Sequence, residues 1–160
     1  MKKLLLLFIG VVSIFSYSFA TTCPGATVIP TSPTFPYTQS LVCGATNDIT
    51  GANATVCGSA NYLGGQESVY SWTPSVNYVN ATIAYNGVSW SGIFVYAGCP
   101  TSGGTCVGNI TSSATTKTLN VAAFTAGVTY YFVFDTWPTP NSPCPGTFTL
   151  NASIAPPANP

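Results

Sequence analysis

An all-β fold, an antiparallel two-sheet β-sandwich of jelly-roll type with about eight strands stapled by disulfides, is the class this sequence predicts. Three observations lead there. Short runs alternate apolar residues with Thr, Ser and Asn, the period of two expected of half-buried strands. Gly, Pro and Asn punctuate those runs at turn spacing. No stretch beyond the amino-terminal leader carries a helical period.

Residues 1–20 read as a signal peptide. Met1-Lys2-Lys3 is a positive start, Leu4–Phe15 an apolar run too short for a comfortable bilayer span, and Ser18-Phe19-Ala20 a small-x-small cleavage site. The module proper covers residues 21–154. Ala26–Ile29 opens it as a short strand, and prolines at 30, 33 and 36 make the next segment an edge or a crossing connection. Tyr37–Val42 resumes a strand. Gly44–Gly65 reads as a long loop held by cysteine.

Regular strands follow. Ser68–Thr73 sets Tyr70 and Trp72 on one face and Val69 on the other, with Trp72 expected in the core. Tyr78–Tyr85 places Val79, Ala81, Ile83 and Tyr85 inward, and Asn86-Gly87 after it carries a hairpin signal. Gly92–Tyr96 precedes a loop bounded by Cys99 and Cys106. Thr116–Ala123 sets Leu119, Val121 and Ala123 against Thr118 and Asn120, and Thr147–Ile154 sets Phe148, Leu150, Ala152 and Ile154 against polar partners. Between them Val128–Trp137 is apolar or aromatic on both faces, which predicts a central strand in a sheet covered on both sides. Residues 155–160, Ala-Pro-Pro-Ala-Asn-Pro, have a linker's composition, expected of a module followed by further domains or cut from them.

Beyond the leader the chain keeps one base, Lys117, and three acids, Asp48, Glu67 and Asp135. So few cations cannot hold a phosphate backbone, which excludes nucleic acid as a partner. No segment after the leader is apolar enough to span a membrane. A surface wetted by Thr, Ser and Asn suits a secreted or cell-surface module.

Six cysteines, Cys23, Cys43, Cys57, Cys99, Cys106 and Cys144, together with an export signal, predict three disulfides. Zinc lacks support, because there is no histidine and no C-x-x-C pair. The short loop between them favours Cys99–Cys106. For the rest, Cys43–Cys57 with Cys23–Cys144 stands against the rival set Cys23–Cys43 with Cys57–Cys144.

Several ordered motifs carry a resemblance. Cys43-Gly44-x-x-Asn47-Asp48, Cys57-Gly58-Ser59 and Gly64-Gly65-Gln66-Glu67-Ser68-Val69-Tyr70-Ser71-Trp72-Thr73-Pro74 come first. Trp90–Tyr96, Gly98-Cys99-Pro100, Ala126–Tyr131 and Asp135-Thr136-Trp137-Pro138 follow. This pattern resembles bacterial extracellular β-sandwich modules of Bacteroidota, similar to pre-peptidase C-terminal domains. The resemblance implies a non-catalytic accessory module appended to proteases, glycanases or adhesins, with no single ligand. Ser68 stands where such modules often carry Asp.

No catalytic residue is assigned. Without histidine there is no Ser-His-Asp or Cys-His arrangement, and bridged cysteines offer no thiolate. Asp48, Glu67 and Asp135 all fall at strand ends or loops, where hard oxygen ligands could gather a Ca²⁺ ion. The competing role is to cap backbone N–H groups in turns. Trp90 and Trp137 lie near loops, where they would either stack on a ligand or plug the ends of the sandwich. The reading is a non-catalytic module that binds an extracellular glycan or surface protein. A structural spacer, and the amino-terminal accessory module of a secreted protease or glycanase, are the alternatives.

Overall fold

The computed structural model describes residues 23, 25–42, 46–137 and 141–157. The leader, Cys43 and the last residues of the linker lie outside them. Among the described residues nine strands form: β1 (Thr27–Val28), β2 (Tyr37–Ser40), β3 (Ser68–Trp72), β4 (Tyr78–Asn86), β5 (Ser91–Ala97), β6 (Thr105–Ser112), β7 (Thr116–Phe124), β8 (Tyr130–Thr136) and β9 (Thr147–Ile154). They make a five-stranded sheet in the order β1-β3-β8-β5-β6 and a four-stranded sheet in the order β2-β9-β4-β7. From β2 onward the chain switches sheet at every connection except the β5–β6 hairpin, and all pairings but the short β1–β3 contact are antiparallel. That is the jelly-roll arrangement expected.

The main core lies between the sheets. Tyr70, Trp72, Phe132 and Phe134 from one sheet meet Ile83, Tyr85, Phe124, Phe148 and Leu150 from the other. Edge-on ring contacts knit them, with centroids 4.6 Å apart for Tyr70–Phe148 and 5.2 Å for Trp72–Phe124, the geometry that ring quadrupoles favour. A second, smaller cluster lies on the outer face of the five-stranded sheet. There Ile49, Cys57 and Leu63 from the long loop pack on Val69, Phe94, Tyr96 and Val133. Strand β8 sits between β3 and β5 and is buried on both faces, as its composition predicts.

The disulfides correct every pairing the sequence suggested. Cys23 bonds Cys99 and Cys57 bonds Cys106; Cys144 is also disulfide-bonded. Cys99–Cys106, Cys43–Cys57 and Cys23–Cys144 are therefore excluded, as is the rival set. The hairpin between Cys99 and Cys106 is already closed by the β5–β6 ladder, where Cys106 faces Tyr96 in register. Each of the two cysteines is left to staple a different incoming segment: the amino-terminal end at Cys99, the long loop at Cys106.

Three strand readings also change. β6 was hidden because its register with β5 shifts between Val95 and Tyr96, so Val107 and Ile110, its partly buried apolar residues, fall three apart rather than two. In β4 a bulge between Val79 and Thr82, with Asn80 at φ 53°, turns Tyr78 inward in place of Val79. Opposite it Phe124, not Ala123, is buried, and Ile154 at the end of β9 is exposed. Finally, Asn86-Gly87 does not make a hairpin. It starts a crossing from one sheet to the other, and glycine is needed there because an added Cβ would lie 2.2 Å from the Tyr85 hydroxyl.

Candidate functional site

Strands β5 and β8 bring Trp90 and Trp137 together. Ser91 pairs with Thr136 in register, and one step further the Trp137 N–H donates to the Trp90 carbonyl at 2.8 Å. The two indoles pack edge to face with centroids 5.2 Å apart. They remain 46% and 40% exposed, so each keeps a ring surface open to solvent. Tyr62, on a 3-10 turn spanning Ala60–Tyr62, adds a third ring 6.0 Å from Trp137. The sequence reading missed Tyr62; a lone large aromatic in a Gly/Asn-rich loop was the available signal.

The crossing that presents Trp90 is held from beneath. The Tyr85 hydroxyl accepts from the Val88 N–H at 2.8 Å and donates to the Pro143 carbonyl at 3.0 Å. Lys117 Nζ donates to Ser91 Oγ at 2.7 Å and to the Ala114 carbonyl, and lies 5.0 Å from the Tyr85 ring centroid. Ser91 Oγ in turn donates to the Val88 carbonyl at 2.8 Å. Burial lowers the Lys117 ammonium to about 8. Trp90 itself has φ 52°, a left-handed conformation uncommon for a bulky residue. These contacts over-determine the crossing, which is what such a conformation requires.

Two of the three acids, Glu67 and Asp135, serve the backbone. The Glu67 carboxylate accepts from the Asp48 N–H at 2.9 Å and the Ile49 N–H at 3.1 Å. Burial raises its pKa, against the pull of those bonds. Asp135 Oδ1 accepts from the Gly65 N–H at 2.9 Å and the Thr136 N–H at 2.6 Å. Burial pushes Asp135 up to about 8, and the neighbouring Glu67 charge acts in the same direction. Its Oδ2 is buried without a hydrogen-bond partner. Asp48 is exposed and accepts from the Thr46 hydroxyl at 2.7 Å. At Gly65 the chain runs so close to Thr136 Oγ1 and the Asn141 carbonyl that no side chain fits. Glu67 and Asp135 thus fasten both ends of the long loop to the sheet, next to Trp137. Among the described residues no group of three or more His, Cys, Asp or Glu side chains is arranged to hold a metal ion.

At Val88 and Ser89, just before Trp90 in the chain, the surface opens into clefts, two of which share Cys144. The first, about 360 Å³, lies between Val88-Ser89 and Asn141-Ser142. The second, about 740 Å³, continues past Asn86 and Gly87 toward Ser40 and Thr147. Among the described residues no charged side chain lines either one.

No family model and no curated protein matches the chain. Among solved structures, the crystal structure of a GH26-CBM35 β-(1,4)-mannanase from Podospora anserina matches over 76% of this chain, with 12% identity and a TM-score of 0.37. The match takes in 28% of the mannanase chain. No helix among the described residues is long and apolar enough to cross a membrane.

Proposed function

We propose that the chain is an exported, non-catalytic binding module that takes a neutral glycan on the ring surface of Trp90, Trp137 and Tyr62. The observation that carries this reading is the pair of half-exposed indoles, locked together by a backbone hydrogen bond and by their own edge-to-face contact. Large rings held in place offer wide contact at little cost in conformational entropy. A sugar ring presents a face of C–H groups that stacks on such a surface. Disulfides support an oxidising, extracellular setting. The absence of histidine and the commitment of Glu67 and Asp135 to backbone N–H groups support a role without catalysis.

Native-gel affinity electrophoresis tests it, with glucomannan, xyloglucan and galactomannan as neutral polymers and alginate and polygalacturonate as acidic ones. At least one neutral polymer should retard the protein and the acidic ones should not. Trp90→Ala and Trp137→Ala should each weaken retardation at least tenfold while melting within a few degrees of the parent. No retardation by any neutral polymer, or unchanged retardation of both variants, overturns the reading.

A further inference from the structure

Resting on that reading, we infer that the site holds an extended, uncharged glycan chain of several sugars, which leaves the indole platform and runs into the clefts past Ser89 and Asn141. Three features point to it. First, the chain that presents Trp90 also lines the first cleft. Ser89 immediately precedes Trp90, and the Val88-Ser89 wall faces Asn141-Ser142 across the first cleft. The second cleft shares Cys144 with the first and extends along Asn86, Gly87 and Thr147. Each falls within the ordinary range of small-molecule pockets, about 300–1,000 Å³. With the platform they offer room for a chain rather than one ring.

Second, the lining mixes polar and apolar groups and, among the described residues, carries no charge. Ser89, Asn141, Asn86 and Thr147 supply hydroxyl and amide groups, which donate and accept, as sugar hydroxyls do. Lys117, the nearby base, is buried beneath the crossing, and Glu67 and Asp135 are buried behind Trp137. An acidic polymer therefore meets no cation here, and a basic peptide no open carboxylate. Third, the walls are rigid. One wall is fixed by the Tyr85 and Lys117 contacts. The other is fixed by the Tyr85 bond to the Pro143 carbonyl and by the Gln66 N–H bond to the Asn141 carbonyl at 2.8 Å. Prebuilt walls spare the ordering cost that a loose loop would impose on binding.

The experiment uses the polymer that retards the parent, cut by partial acid hydrolysis into fragments of two to eight sugars and titrated calorimetrically. Affinity should rise at least tenfold from the shortest to the longest fragment. Ser89→Ala and Asn141→Ala, both exposed positions, should weaken the longest fragment about threefold to tenfold, the scale of a neutral hydrogen bond, and leave the shortest unchanged. Equal affinity for all lengths, or no effect of either variant on the longest fragment, overturns the extended chain while the Trp variants still report on the platform. No polymer binding at all removes both.

Discussion

On its inner face β8 meets the opposite sheet through Tyr130, Phe132 and Phe134; on its outer face Val133 lies under a loop that has no ladder of its own. The inner layer is strand against strand. Its backbone groups are satisfied within the sheets, so the side chains only have to be large and apolar. The outer layer is irregular chain, and its backbone must be satisfied one group at a time. Glu67 takes the N–H groups of Asp48 and Ile49, Asp135 takes that of Gly65, and the Cys57–Cys106 bridge pins the middle. The difference shows why a chain so poor in charge buries two of its three acids. They substitute for a ladder where none exists.

The largest expected effect belongs to the inner layer. Trp72→Ala should cost about 3–5 kcal/mol, the usual loss for a large ring removed from a core, read from urea denaturation. A loss below about 1 kcal/mol would mean that the sheets are not held chiefly by this contact. The outer layer should yield next. Replacing both Cys57 and Cys106 by Ala should cost about 2–4 kcal/mol, with hydrogen exchange speeding up at Ile49 and Gly65 before β8. Equal loss of protection in β8 would show that the two layers unfold as one.

A pH series sharpens the contrast further. Folded Asp135 keeps its proton up to about 8, whereas the unfolded carboxyl loses it near its model value of 3.8. Between those limits the native state binds more protons, so stability falls as pH rises. Asp135→Asn should flatten that fall by more than about 1.4 kcal/mol between pH 5 and pH 8, the worth of one pKa unit. Glu67, raised in the same direction, should leave a residual slope. An unchanged slope in the variant would place the titration elsewhere. The smallest stability effect is expected on the surface. Trp90→Ala should cost only about 0.5–1.5 kcal/mol, the scale of one aromatic pair, by thermal melt, while removing glycan binding. A loss comparable to that of Trp72→Ala would make Trp90 part of the core.

The sequence by itself determined the class of fold and the two-sided burial of β8, because alternation and composition act over neighbouring residues. It also pointed to Trp90 and Trp137 as loop-flanking rings, since each stands where a strand begins or ends. Tertiary structure alone decided the rest. The cysteine partners follow from which strand each loop crosses, and that depends on the register of strands far apart in the chain. The faces of Val79 and Ala123 turn on a bulge that no local pattern announces. Tyr62 joins the platform because the Cys57–Cys106 bridge, joining residues 49 apart in sequence, and the buried Glu67 and Asp135 fold its loop back over the sheet. Asp135 and Glu67 looked alike as isolated acids in turns. Their burial, and the proton Asp135 keeps, arise from the sheet that closes over them.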